Sequence, residues 1–267
     1  MKKQILFAVS LMLSIGSTHL LAADLAKGSR AFDSKDYETA VKELERLSKE
    51  GNPEALYMMG QMYENGWGIE QNVKKAKRLY RRGAALGHMG NVNSLRALKD
   101  KEYKVELKTV VPAAESGDAK AQNRLGEMNE FGYGLKRDPN QAINWYLKAA
   151  DQGSVAAQHN IGRCYNFGTG VEQNFTEAET WYRKAAQQGH TDAMFFLGTL
   201  YSNNHGAEDT QDTNILAYAW MHNAAELGNR TAKAIEERLV MKLDEEQLEA
   251  AAALAAEYKA KYIAPYK

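Results

Sequence analysis

Histidine, cysteine and paired carboxylates are the side chains in this sequence that could carry chemistry, and none of them forms a catalytic pattern. Past the first 23 residues the histidines are His88, His159, His190, His205 and His222. No two of them stand at the i, i+4 spacing that puts two imidazoles on one helix face to bind zinc, and no HExxH arrangement occurs. No GxSxG elbow, phosphate-binding Walker loop or dinucleotide fingerprint is present, so the sequence offers neither a nucleophile constellation nor a cofactor or metal site. The pairs Glu236-Glu237 and Glu245-Glu246 read as solvated helix faces. The single cysteine, Cys164, reads as a small buried hydrophobe rather than a reactive thiol.

The elements that would position these side chains explain the pattern. Gly51, Gly87, Gly117, Gly153, Gly189 and Gly228 stand 36, 30, 36, 36 and 39 residues apart. Repeats of that length form one two-helix unit each, and stacked units make a quasi-one-dimensional solenoid whose product is a surface. Binding is therefore the first expectation. Ala55, Ala121, Ala157 and Ala193 form one column, and Gly60, Gly126, Gly162 and Gly198 a second, small enough for close helix approach. Tyr63, Tyr165 and Tyr201 form a third, with Asn129 the exception; Cys164 shares an apolar column with Met62, Met128 and Leu200. Loops carrying Gly66 and Gly68, Gly132 and Gly134, or Gly168 and Gly170 end the first helices, since glycine tolerates positive φ. The second helices carry Ala76, Ala142, Ala178 and Ala217, then Leu79, Trp145, Trp181 and Trp220, which read as core before they read as a ligand cage.

The segments GDAKAQNRLGEMNEFGYGLKRDPNQAINWYLKAADQ and GSVAAQHNIGRCYNFGTGVEQNFTEAETWYRKAAQQ resemble the Sel-one-like repeat family, close kin of tetratricopeptide repeats. The resemblance implies an all-α, right-handed solenoid of helix-turn-helix repeats at 51–86, 117–152, 153–188 and 189–227, with a degenerate repeat at 87–116. There the Gly-x-Gly loop is missing and Pro112 falls near the end of the second helix, so a shortened repeat with a bend is expected. Residues 24–50 read as a tetratricopeptide-like cap around a turn at Ser34-Lys35-Asp36. Residues 228–267 read as C-terminal capping helices, one over Asn229 to Leu243 and one from Glu245 to Tyr262, the second opened by Asp244 with Gln247 three residues on.

Carrying the tetratricopeptide geometry over, the first helices line the binding groove. That places Tyr57, Gln61 and Asn65 there, then Asn123, Glu127 and Phe131, then His159, Arg163, Asn166 and Phe167, then Phe195, Thr199 and Asn203. These positions vary between repeats while the packing columns do not. Phe131 and Phe167 would grip an extended peptide or helix while Asn and Arg fix its register; the alternative is that both rings pack into the neighbouring repeat. Asn123, Arg163 or Asn166 changed to Ala is expected to weaken binding with little loss of stability.

Lys2 and Lys3, the apolar stretch Ile5 to Ile15 and the small-residue exit at Leu21-Ala22-Ala23 read as a secretory signal peptide over residues 1–23. A periplasmic location follows, with an extracellular one as the variant. Lys plus Arg and Asp plus Glu both number 34, and removing Lys2 and Lys3 leaves about −2. That balance advertises no polyanion partner such as nucleic acid, whose binding would normally leave a basic stripe, and no other apolar run points to membrane insertion. The resemblance implies a scaffold that regulates another protein of the bacterial envelope, such as a signalling receptor. It also covers immunity proteins that block a periplasm-acting toxin. A cysteine-rich branch is associated with binding or hydrolysing penicillin-like compounds; this chain lacks the cysteines. End-to-end stacking of the caps leaves a homodimer open.

Overall fold

The computed structural model describes residues 23–205 and 212–266. Residues 1–22, which carry most of the expected signal peptide, lie outside the described part. The chain is all-helical among the described residues, and it divides into two compact units, the first ending at Glu102 and the second beginning at Tyr103.

The first unit holds α1 (23–33), α2 (Tyr37–Glu50), α3 (Pro53–Asn65), α4 (Val73–Ala85) and the beginning of α5 (Met89–Glu115). The second holds the rest of α5 and then α6 (Ala119–Phe131), α7 (Pro139–Asp151), α8 (Val155–Phe167), α9 (Phe175–Ala186), α10 (Thr191–Ser202), α11 (Thr213–Glu226), α12 (Arg230–Val240) and α13 (Glu245–Tyr258). A π turn over Lys259–Ile263 follows α13. Helices pack in consecutive pairs, α3 with α4, α6 with α7, α8 with α9 and α10 with α11.

Local chemistry sets each pair. The first helices start at Asn52, Asp118, Ser154 and His190, whose side chains accept the N–H of Ala55, Ala121, Ala157 and Ala193. The second helices start at Asn72, Asp138, Asn174 and Asp212 in the same way. Such caps contribute about 1 kcal/mol each by satisfying donors that a helix start leaves unpaired. Between the helices Gly66, Gly132 and Gly168 turn the chain at φ of 74°, 73° and 66°. The N–H of Asn72, Asp138 and Asn174 then returns to the carbonyl of Tyr63, Asn129 and Tyr165 at 2.8 to 2.9 Å. At the C-terminal end Asp244 and Gln247 make a reciprocal capping box.

The core differs from the expected aromatic column. A Cβ on Gly60, Gly126 or Gly162 would lie 2.3 to 2.6 Å from the ring of Tyr80, Tyr146 or Tyr182. The glycine column therefore seats a tyrosine face, one residue past the Leu/Trp column, and those tyrosines are buried. Trp145 and Trp181 are half-buried and lie under the ammonium groups of Lys148 and Lys184, 4.1 and 3.9 Å from the ring centroids. Only Trp220 of that column is fully buried; the residue after it, Met221, takes the tyrosine's place against Gly198. Trp220 is closed over by Tyr258 of α13 at 4.5 Å.

The degenerate repeat is corrected as well. Where two helices were expected, α5 runs unbroken through Pro112 to Glu115. Without the Gly-x-Gly loop nothing reverses the chain, and a proline so close to the helix end removes only one hydrogen bond at partly exposed backbone. The capping helix expected to reach Leu243 stops at Val240, leaving Met241 exposed.

Cys164 is fully buried in its apolar column, and burial pushes its thiol up to about 12. It should stay unmodified by an aromatic disulfide reagent in the native protein and react fully after denaturation. Rapid labelling of the native chain would contradict its burial.

Candidate protein-binding face

In the first unit, Tyr57 and Gln61 are half-buried and Asn65 is exposed on α3. The Tyr57 hydroxyl accepts from Gln61 Nε2 at 3.1 Å, and Asn65 Nδ2 donates to the Gln61 carbonyl at 2.8 Å. The Tyr57 ring stands 5.6 Å from that of His88.

The second unit brings the remaining candidates together along α6, α8 and α10. Arg124 is held bidentately by Glu106 at 2.6 and 3.0 Å and by Glu127 at 2.7 Å, which raises its pKa above the ordinary arginine value. Asn123 Nδ2 donates to Glu127 at 3.0 Å, and Asn160 Nδ2 donates to Asn123 Oδ1 at 3.0 Å, so a polar ladder crosses from α5 through α6 to α8. Beside it lies an open groove of about 510 Å³, lined by Glu106, Val110, Ala113, Ala121, Arg124 and Glu127 among others.

Aromatic rings continue the face. Tyr103 and Tyr133 stack at 4.5 Å, Tyr133 and Phe131 at 5.4 Å, and the Arg163 guanidinium sits 5.1 Å from the Phe131 centroid. Phe167 meets Phe196 edge-on at 6.2 Å, and Phe196 contacts Phe195 at 5.3 Å and His159 at 5.6 Å. Phe131 and Phe167 remain 46% and 60% exposed. Their packing is thus partial: Phe131 stacks on Tyr133 beneath the Arg163 guanidinium and Phe167 meets Phe196 edge-on, yet both keep surface open to solvent. Thr199 is half-buried, its hydroxyl donating to the Phe195 carbonyl, while Asn203 is exposed at the end of α10.

Three candidates do structural work. Asn123 and Asn166 are buried. Arg163 donates at 2.5 Å to Glu130, which is only 3% exposed and also accepts from the Tyr146 hydroxyl at 2.8 Å. The expectation that these three could be cut to alanine with little loss of stability is therefore corrected. A buried carboxylate needs its cation, and a buried amide needs its partners.

Sequence reasoning missed Tyr103, Arg124, Tyr133, Asn160 and Phe196. The signal existed: Arg124, Asn160 and Phe196 stand seven residues after Gly117, Gly153 and Gly189, one past the column chosen, and they vary as freely.

His159 stacks on His190 at 4.7 Å, and its Nδ1 is buried without a hydrogen-bond partner. Burial, then His190 and Arg163, hold its pKa down at about 3. The unfolded chain protonates this histidine near pH 6.5, so the stability it contributes is whole above that pH and is lost as pH falls toward 3. Urea titrations should show a loss of about 1 kcal/mol between pH 6.5 and 5.5 from this group. His159→Phe should remove that share; an identical pH profile would contradict the assignment.

Among the described residues no cluster of three or more His, Cys, Asp or Glu could hold a metal ion, and no helix is long and apolar enough to cross a membrane. Comparison with known proteins places these helix pairs. No curated protein matches the chain. It is similar to the crystal structure of a protective antigen present in uropathogenic Escherichia coli strains, which displays an SLR fold. Identity is 28% and the TM-score 0.56, over 92% of this chain and 54% of that one, so the chain spans about half the length of that antigen. A Sel1 repeat protein from Oxalobacter formigenes is 26% identical with a TM-score of 0.48, covering 85% of this chain and 96% of that one. Sel1 repeats match at residues 53–88, 119–154, 155–190 and 191–229, one over each of the four helix pairs described above. The chain belongs to the Sel1 repeat family.

Proposed function

We propose that this protein is a non-enzymatic interaction scaffold, exported to the periplasm, that binds a protein of the bacterial envelope through the face of α6, α8 and α10 and so regulates an envelope process or a signalling receptor. The observation that carries the reading is the pair of half-exposed rings, Phe131 and Phe167, set in rows of polar side chains already fixed by hydrogen bonds. Preorganised aromatic anchors ringed by oriented polar groups are what protein interfaces use for affinity and register, because little entropy is lost when they meet a partner. The compartment rests on the N-terminal sequence pattern, and the choice of an envelope partner on that compartment.

A photoreactive phenylalanine analogue at position 167 tests the face directly. Irradiation in cells should give one discrete crosslinked product from position 167 and none from position 105, an exposed site on α5. Equal crosslinking from both positions would overturn the assignment.

A further inference from the structure

The balanced charge of the whole chain conceals a local excess. Helix α4 carries Lys74, Lys75, Lys77, Arg78, Arg81 and Arg82 and no carboxylate. Three of these cations are engaged. Lys75 donates to the Tyr63 hydroxyl and lies 4.1 Å over its ring, Lys77 pairs with Glu102 at 2.5 Å, and Arg82 donates to the Lys49 carbonyl at 3.3 Å. Lys74, Arg78 and Arg81 are exposed and pair with no carboxylate among the described residues. Their spacing of four and three sets them on one face of the helix. With Asn72 and Lys75 they line an open depression of about 290 Å³. The opposite face of α4 is spent on the core, through Ala76, Leu79, Tyr80 and Gly83. Uncovered apolar side chains bound the stripe in sequence: Val73 opens the helix, and Leu86 and Met89, 59% and 63% exposed, follow it.

Three like charges on one face repel each other until counter-charge arrives, so the stripe fits an anionic partner. A protein partner would seek an apolar or aromatic centre, and single-stranded nucleic acid a ring on which bases can stack; no aromatic side chain lines the depression. A fluid anionic bilayer needs neither. It gathers charge under flexible cationic stems and accepts neighbouring apolar side chains among its headgroups. We propose that the outer face of α4 docks this protein on an anionic phospholipid surface without crossing it, Lys74, Arg78 and Arg81 meeting lipid phosphates.

The test is co-sedimentation of the exported chain, residues 24–267, with vesicles of phosphatidylcholine alone or mixed with phosphatidylglycerol. Binding is expected to the mixed vesicles only, with release at about 1 M salt, where the screening length falls to ~3 Å. Lys74→Glu/Arg78→Glu/Arg81→Glu should weaken binding by at least about 100-fold, from the loss of three cations, at unchanged helicity and melting temperature. Phe131→Ser/Phe167→Ser should bind lipid like the wild type, which separates this surface from the face of α6, α8 and α10. Equal binding to both vesicle types, an unaffected triple variant, or capture of polyglutamate with no capture of mixed vesicles would each overturn the proposal.

Discussion

Gly170→Ala should cost about 3 kcal/mol of folding stability, the sum of an overpacked contact and a strained backbone. Gly170 sits at φ 75°, where an L side chain is disfavoured, and an added Cβ would lie 2.1 Å from the carbonyl oxygen of Pro139. That neighbour is backbone at the start of α7 and cannot rotate aside, so the loop between α8 and α9 must lift away. Gly153→Ala is the control. Gly153 has φ 83° with nothing within 4 Å of the new atom, so only the conformational penalty of about 1 kcal/mol applies. Urea denaturation of the two variants measures the difference; equal losses would mean that the loop does not press on α7.

Arg163→Ala should cost about 3 kcal/mol by leaving the Glu130 carboxylate buried without a cation. Burial opposes the charge on Arg163, yet Glu130 raises its pKa above the ordinary value, so the pair's attraction outweighs the desolvation of the arginine. The Tyr146 hydroxyl, its own pKa raised by burial and by Glu130, stays a hydrogen-bond donor to that carboxylate. Glu130→Gln combined with Arg163→Met removes both charges and keeps an acceptor for Tyr146, so the double variant should regain most of the loss. Additive losses would show that Arg163 stabilises the fold through packing alone.

These two residues show how far the sequence could be read. Glycine spacing and the Ala and Gly columns identified helix pairs, because packing constrains every repeat alike and leaves a periodic trace. Gly170 belongs to that trace. Arg163 does not: its partner Glu130 lies on another helix 33 residues away, and the corresponding position in the next repeat is Asn166 rather than a carboxylate. Glu64 is held in the same way by Tyr80 and Lys101, but Lys101 lies on α5 and not at the position of Arg163, so the cation leaves no period and Arg163 read as a free groove residue. The Tyr80, Tyr146 and Tyr182 column was hidden differently. It stands beside the tryptophans, and only the seat offered by each glycine decides which ring turns inward. The basic stripe of α4 was invisible to net charge, which averages it against acidic residues elsewhere.

The most direct test of the scaffold reading uses the full chain as bait in envelope extract, beside Phe131→Ser/Phe167→Ser. Both rings are substantially exposed, so this variant should fold with a stability within about 0.5 to 1 kcal/mol of the wild type. The expected result is one envelope protein held by the wild type and weakened at least about tenfold by the variant, as befits loss of two interface anchors. Capture of the same protein by both, or of none by either well-folded chain, would contradict the account.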